Sequence, residues 1–169
     1  MPSAQGASRS NEMPPTARFG RNCTTGPGGV RYCASSVLEP IGNNSYETSM
    51  LFDGRGDTAW VEGEDGDGIG VEIMLDFGSA RHLAGLDISN GYDKDDRIWS
   101  RNSRVAGYEL GYDDGTTARG TLADRRGMAR ITFEQAVTTR WLTLTIRSVH
   151  RGTKYTDTAV SELYPLYAD

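Results

Sequence analysis

Between residues 69 and 77 the chain reads IGVEIMLDF, and Ile69, Val71, Ile73, Leu75 and Phe77 fall on one face of an alternating pattern. A period of two is the signature of a strand, whose successive side chains leave opposite faces. Such a strand cannot stand alone, because its apolar face must be covered by a second layer. The same texture recurs at 83–88, after an FGSAR turn, and at 104–112, 116–122, 128–137, 141–149 and 159–167. In the 141–149 segment Leu142, Leu144 and Ile146 share one face, and Thr143, Thr145 and Arg147 the other. Gly, Asp and Asn punctuate the segments, as tight turns require. About eight antiparallel strands at hairpin spacing predict an all-β sandwich of two sheets. No window sustains a capped helical period, and a single turn near Glu39 or Glu47 is the most helix expected.

Composition narrows the function classes. At 169 residues, 37% apolar and 24% charged, with 21 Gly and 6 Pro, the chain suits one turn-rich globular domain plus a tail. The formal charge of −5 opposes nucleic acid as a partner, since phosphate binding needs a cationic surface, but it is compatible with a bound cation. No stretch approaches the roughly 20 apolar residues of a membrane span. Residues 1–31 are read as a flexible leader or linker and 32–169 as the domain; Met1 is followed by no apolar signal core, so a trimmed export signal or an excised domain is expected. The two cysteines, Cys23 and Cys33, flank a Pro-Gly-Gly turn. A local disulfide, which would favour an exported location, and two unrelated thiols or half of a metal site are the alternatives, with the disulfide preferred.

Enzyme patterns are missing. His82 and His150 lie far apart, and no GxSxG, HExxH or phosphate-loop sequence occurs. A carboxylate pair such as Glu62 with Asp93 is conceivable as a glycosidase dyad, yet nothing in the sequence singles it out. The expectation is a protein without catalysis.

Three loops carry denser chemistry. LFDGRGDTAW, residues 51–60, gathers a carboxylate, a hydroxyl and turn carbonyls, the hard oxygen environment preferred by Ca²⁺, with Asp53 as main ligand; an Asx turn without metal is the alternative. NGYDKDDRIWSRNSR, residues 90–104, interleaves Asn90, Lys94, Asn102 and Arg104 with Tyr92 and Trp99. That mixture suits sugars, whose C–H faces stack on rings while their hydroxyls take forked donors. The alternative is a plug, with Tyr92 and Trp99 closing the sandwich end and Arg104 paired to a carboxylate. HRGTKYTDTAVSELY, residues 150–164, sets Lys154, Tyr155 and Asp157 before the last strand, which carries Glu162.

The ordered series ASSVLEP, LFDGRGDTAW, VEG, GIG, LDFG, NGYDK, NSR and GTKYTDTAVSEL resembles the discoidin-like (coagulation-factor type C) family. More narrowly, it is similar to the accessory glycan-binding or translocation domain beside some bacterial NAD glycohydrolases. The likeness spans about 34–164. It implies a galactose-binding-like jelly roll with a structural Ca²⁺ held between the DG-x-x-x-T loop and a Glu on the last strand, which carries over to Asp53, Thr58 and Glu162, with Asp57 less firmly. The CTTGPGGVRYC segment lies outside the likeness and these 169 residues include no partner enzyme domain, so NAD cleavage does not carry over. Two functions follow as expectations. One is an extracytoplasmic glycan-binding module using Trp60, Tyr92, Lys94, Trp99, Asn102, Arg104, Lys154 and Tyr155 to tether an attached protein. The other is a docking domain that packs the same surface on a partner such as a NAD glycohydrolase catalytic domain.

Overall fold

The computed structural model describes residues 19, 20 and 22–169; most of the expected leader, 1–18 and 21, lies outside the described residues. Ten strands and one short helix succeed one another: β1 Cys23–Thr25, β2 Arg31–Ala34, β3 Trp60–Val61, β4 Glu72–Asn90, α1 Asp96–Arg101, β5 Arg104–Val105, β6 Gly107–Tyr112, β7 Thr117–Thr121, β8 Met128–Ile146, β9 Val149–His150 and β10 Ala159–Tyr167. Eight of them form one antiparallel sheet in which β1, β2, β4, β8, β6 and β7 lie in that order, with β10 bridging β4 and β3. Strands β5 and β9 make a separate pair.

The sheet becomes two layers because β4 and β8, each 19 residues long, run through both. The first half of β4, Glu72 to Asp76, pairs with β2 on one side and with residues 141–145 of β8 on the other. Its second half pairs with β10 and with residues 128–139 of β8. Between the halves the β4–β8 register breaks from Asp76 to Arg81, and the sheet folds over there. The sequence reading expected separate strands at 69–77 and 83–88, and at 128–137 and 141–149. Each pair runs on as one strand through an irregularity that bends it without ending it; in β4 the bend passes through Gly78 at φ +76°. At a second irregularity, beside Leu83, a Cβ on Gly85 would overlap the Ile131 carbonyl, so the residue there must be glycine.

Ile73, Leu75, Leu86, Ile88, Leu110, Leu142, Leu144, Ile146 and Leu163 meet in the interior between the layers. The alternation that starts the sequence reading is borne out from Val71 to Phe77, whereas Ile69 is 52% exposed on the turn before β4. The outer face of the first layer is covered too: Met74 packs with Phe19, Cys33, Cys23 and Trp141. The cysteines stand opposite each other in the β1–β2 pairing and are joined by a disulfide. That hairpin lies on both sides of residue 31, where the sequence reading set the start of the domain.

Candidate functional site

Three loops converge beside β3 and enclose a cavity of about 380 Å³. The segment after β2 contributes Leu38, Ile41, Asn44 and Tyr46. An antiparallel bridge between Ile41 and Asn44, with paired N–H to carbonyl bonds of 3.0 Å, closes the turn that carries them. The segment after β4 contributes Tyr92, Lys94, Ile98 and Asn102, and the segment before β10 contributes Tyr155 and Asp157.

Helix α1, absent from the sequence reading, sets the middle loop. The Asp95 carboxylate accepts the Ile98 N–H at 2.8 Å and caps it, and its six residues are too few to show a period. Asn102 closes the other end by donating its amide to the Ile98 carbonyl at 2.9 Å. Gly91 starts the loop at φ +87°, in the left-handed region, and a Cβ there would sit 2.6 Å from Arg104 Cγ.

Chemically the cavity offers ring faces, aliphatic walls and a few polar groups. Burial pushes the phenols of Tyr92 and Tyr46 upward, with Tyr46 and Asp57 adding to the effect on Tyr92 and Tyr155 to that on Tyr46, so both remain hydrogen-bond donors. Burial, then the nearby Asp65, raises Asp157, the one carboxyl lining the cavity among the described residues. Tyr155 is 44% exposed and Ile41 61%, so apolar surface stands open at the site.

Of the eight residues expected to meet ligand, Tyr92, Lys94, Asn102 and Tyr155 line this cavity. Lys154 stands next to it, its ammonium 5.3 Å from the centre of the Tyr155 ring. Trp60 has to be withdrawn: it has no exposed surface, and its indole N–H donates to the Ser36 carbonyl at 3.0 Å inside the core. Arg104 is also withdrawn. It is 5% exposed and clamps Asp124 through Nε and Nη2 at 3.0 and 2.9 Å, while Nη1 donates to the Asn102 carbonyl at 2.8 Å. Its guanidinium lies 4.2 Å from the centre of the Trp99 ring, and the Trp99 N–H donates to the Asn90 carbonyl at 2.9 Å. Trp99 and Arg104 thus form a pillar under the loop, the plug arrangement, while Tyr92 faces the cavity.

Sequence reasoning missed Leu38, Ile41, Asn44 and Tyr46. Their only trace is the GNN turn at 42–44, since scattered residues of a coil have no periodicity to betray a shared wall.

The second constellation joins the loop after the 3-10 turn Thr48–Phe52 to β10. The Glu162 carboxylate accepts the N–H of Arg55 at 2.8 Å, the N–H of Gly54 at 3.3 Å and the Tyr164 hydroxyl. Asp53 accepts the Arg55 N–H at 3.0 Å and the Thr58 hydroxyl at 2.5 Å. Burial, and Asp53 beside it, push Glu162 up to about 7. Two carboxylates and a hydroxyl therefore share one point at a cost in charge that a hard cation would relieve, so Asp53, Thr58 and Glu162 fit Ca²⁺ in kind. Asp57 does not join them: both its oxygens take the Arg55 guanidinium, at 2.7 and 2.8 Å. Among the described residues no three His, Cys, Asp or Glu side chains converge, so the remaining ligands of a six- to eight-coordinate ion would be carbonyls and water.

Residues 23–165 match the family described as NAD glycohydrolase translocation F5/8 type C domain, so the likeness includes the disulfide hairpin that the sequence reading left outside it. No curated protein matches. Among solved structures, the family 32 carbohydrate-binding module of Clostridium perfringens NanJ, in complex with galactose, aligns with a TM-score of 0.60 at 19% identity over 80% of this chain and 92% of its own. CpGH89CBM32-5 from the same organism, in complex with GalNAc-β-1,3-galactose, aligns at 0.63 with 17% identity over 83% and 97%. The CBM32 of AlyQ, in complex with 4,5-unsaturated mannuronic acid, aligns at 0.56 with 19% identity over 81% and 94%. At these identities the shared property is the fold, a discoidin-like jelly roll.

Proposed function

The chain belongs to the NAD glycohydrolase translocation F5/8 type C domain family, and from that premise we propose that it is a non-catalytic glycan-binding module that tethers an attached protein outside the cytoplasm. The observation that carries the reading is the cavity beside β3, where Tyr46, Tyr92 and Tyr155 present rings among Lys94, Asn102 and Asp157. Rings supply stacking surface for the C–H face of a pyranose, and the polar groups supply donors and acceptors for its hydroxyls. The Cys23–Cys33 disulfide supports an oxidising compartment.

Asp53, Thr58 and Glu162 would hold a structural Ca²⁺ that ties the early loop to the last strand. Its role would be to set loop shape and stability. If so, Asp53→Ala and Glu162→Ala lower the melting temperature in calcium and abolish most of its drop on adding chelator. An unchanged chelator response in both variants removes the metal from the account.

A glycan array on the isolated domain, with and without chelator, tests the binding reading. Selective binding that weakens about tenfold or more in Tyr92→Ala is the expected outcome, the loss of one stacking ring. The second reading, docking on a NAD glycohydrolase domain, draws support from the family's description and from the open apolar surface of Ile41 and Tyr155. A blank array with folded protein would favour it.

A further inference from the structure

The chain holds only two lysines among its 18 Lys and Arg residues, Lys94 and Lys154, and both stand at the same cavity. Eight of the described arginines are committed to carboxylates: Arg55, Arg104, Arg119, Arg126, Arg130, Arg140, Arg147 and Arg151. Neither lysine makes an ion pair with any described residue, and both are exposed. Lys154 leans over the Tyr155 ring, an arrangement that keeps a cation beside a stacking surface without neutralising it. Arg31, Arg81, Arg97, Arg101 and Arg125 also lack an ion pair among the described residues, but at the cavity itself the cations are Lys94 in the lining and Lys154 over the Tyr155 ring, in a protein of formal charge −5.

On the footing of the glycan reading above, we infer that the ligand is an acidic glycan, whose carboxylate or sulfate group meets Lys94 and Lys154 while a ring of the sugar lies on Tyr92 or Tyr155. An ammonium is a compact donor on a flexible stem, suited to either anion, whereas a guanidinium is matched to planar bidentate partners. Asp157 does not oppose this. It is the one acid among the described residues lining the cavity, and burial, then Asp65, raise it, which lessens its hold on its charge. The neutral pole of the site, with Leu38, Ile41, Val61 and Ile98, would take the uncharged part of the sugar.

The test is the ratio of affinities for matched acidic and neutral sugars on the intact domain, measured by calorimetry or by competition. Galacturonate against galactose and sialyllactose against lactose probe a carboxylate; 6-sulfated against unsulfated galactose probes a sulfate. Wild-type protein is expected to prefer an acidic member by about fivefold or more, the scale of one exposed charge pair at its upper end. That preference should shrink as salt is raised and fall to about parity in the Lys94→Gln, Lys154→Gln double variant. The ratio is informative even if the variant binds every sugar more weakly. Equal binding of acidic and neutral members by the wild type, or a preference that persists in the double variant, overturns the assignment of charge while leaving glycan binding intact. No binding to any sugar overturns both.

Discussion

Glu62 has no exposed surface, and its two carboxylate oxygens accept the N–H groups of Thr158 and Glu64, each at 2.9 Å. Burial outweighs those donors and pushes it up to about 7. In the unfolded chain the same group gives up its proton near 4.5. Between these values the folded state binds the proton more tightly, so stability falls as pH rises from about 4.5 through about 7. Urea midpoints in chelator should decline from pH 5 to pH 8, and Glu62→Gln, which mimics the neutral acid, should flatten part of that decline. An identical slope in the variant would assign the whole effect elsewhere. Trp60→Ala is expected to cost about 3–5 kcal/mol, the usual scale for emptying a buried ring site, read as a lower midpoint with the fold retained. Side-chain roles divide along this line: alternation betrays which residues of a strand are buried, but Trp60 and Arg104 lie in two-residue strands too short to show a period, where an aromatic or a cation reads the same for a core and for a site.

The β1–β2 hairpin is held by the disulfide between Cys23 and Cys33, ten residues apart. Reducing it, or replacing both cysteines with serine, should destabilise the domain by about 2–3 kcal/mol, the loop-closure entropy of so short a span, checked by chemical denaturation with and without reductant. A smaller loss would show that β1 holds by its pairing and by Phe19 on Met74 alone. At this scale the sequence was most legible. Most of the strands expected from residue 69 onward exist, because each carries a periodic apolar face. What could not be seen is that four of them are two long ones, since a bulge and a turn use the same Gly and polar residues. Helix α1 escaped notice because its formation rests on the Asp95 cap and on the packing around it, not on a repeating face.

For the whole molecule, the proposed glycan reading rests on a single sugar site, and attachment to other copies becomes the means of holding a surface. Fusing the domain to a dimeric scaffold should raise apparent affinity for a glycan-coated surface by about 10² or more over the monomer, while binding to a single soluble sugar stays the same. Surface plasmon resonance at high and low glycan density separates the two cases, and equal affinities at both densities would count against a tether. The jelly-roll architecture was readable as a whole from strand count and motif order; the cavity was readable only in part, because its walls come from three loops that topology alone brings together. The two strands that run through both layers, β4 and β8, have a mechanical meaning as well. Neither layer owns its central strands, so neither can melt while the other survives, and limited proteolysis should yield no stable half. The domain is in effect a single spring-free frame, with its loops hung on ends that cannot move apart.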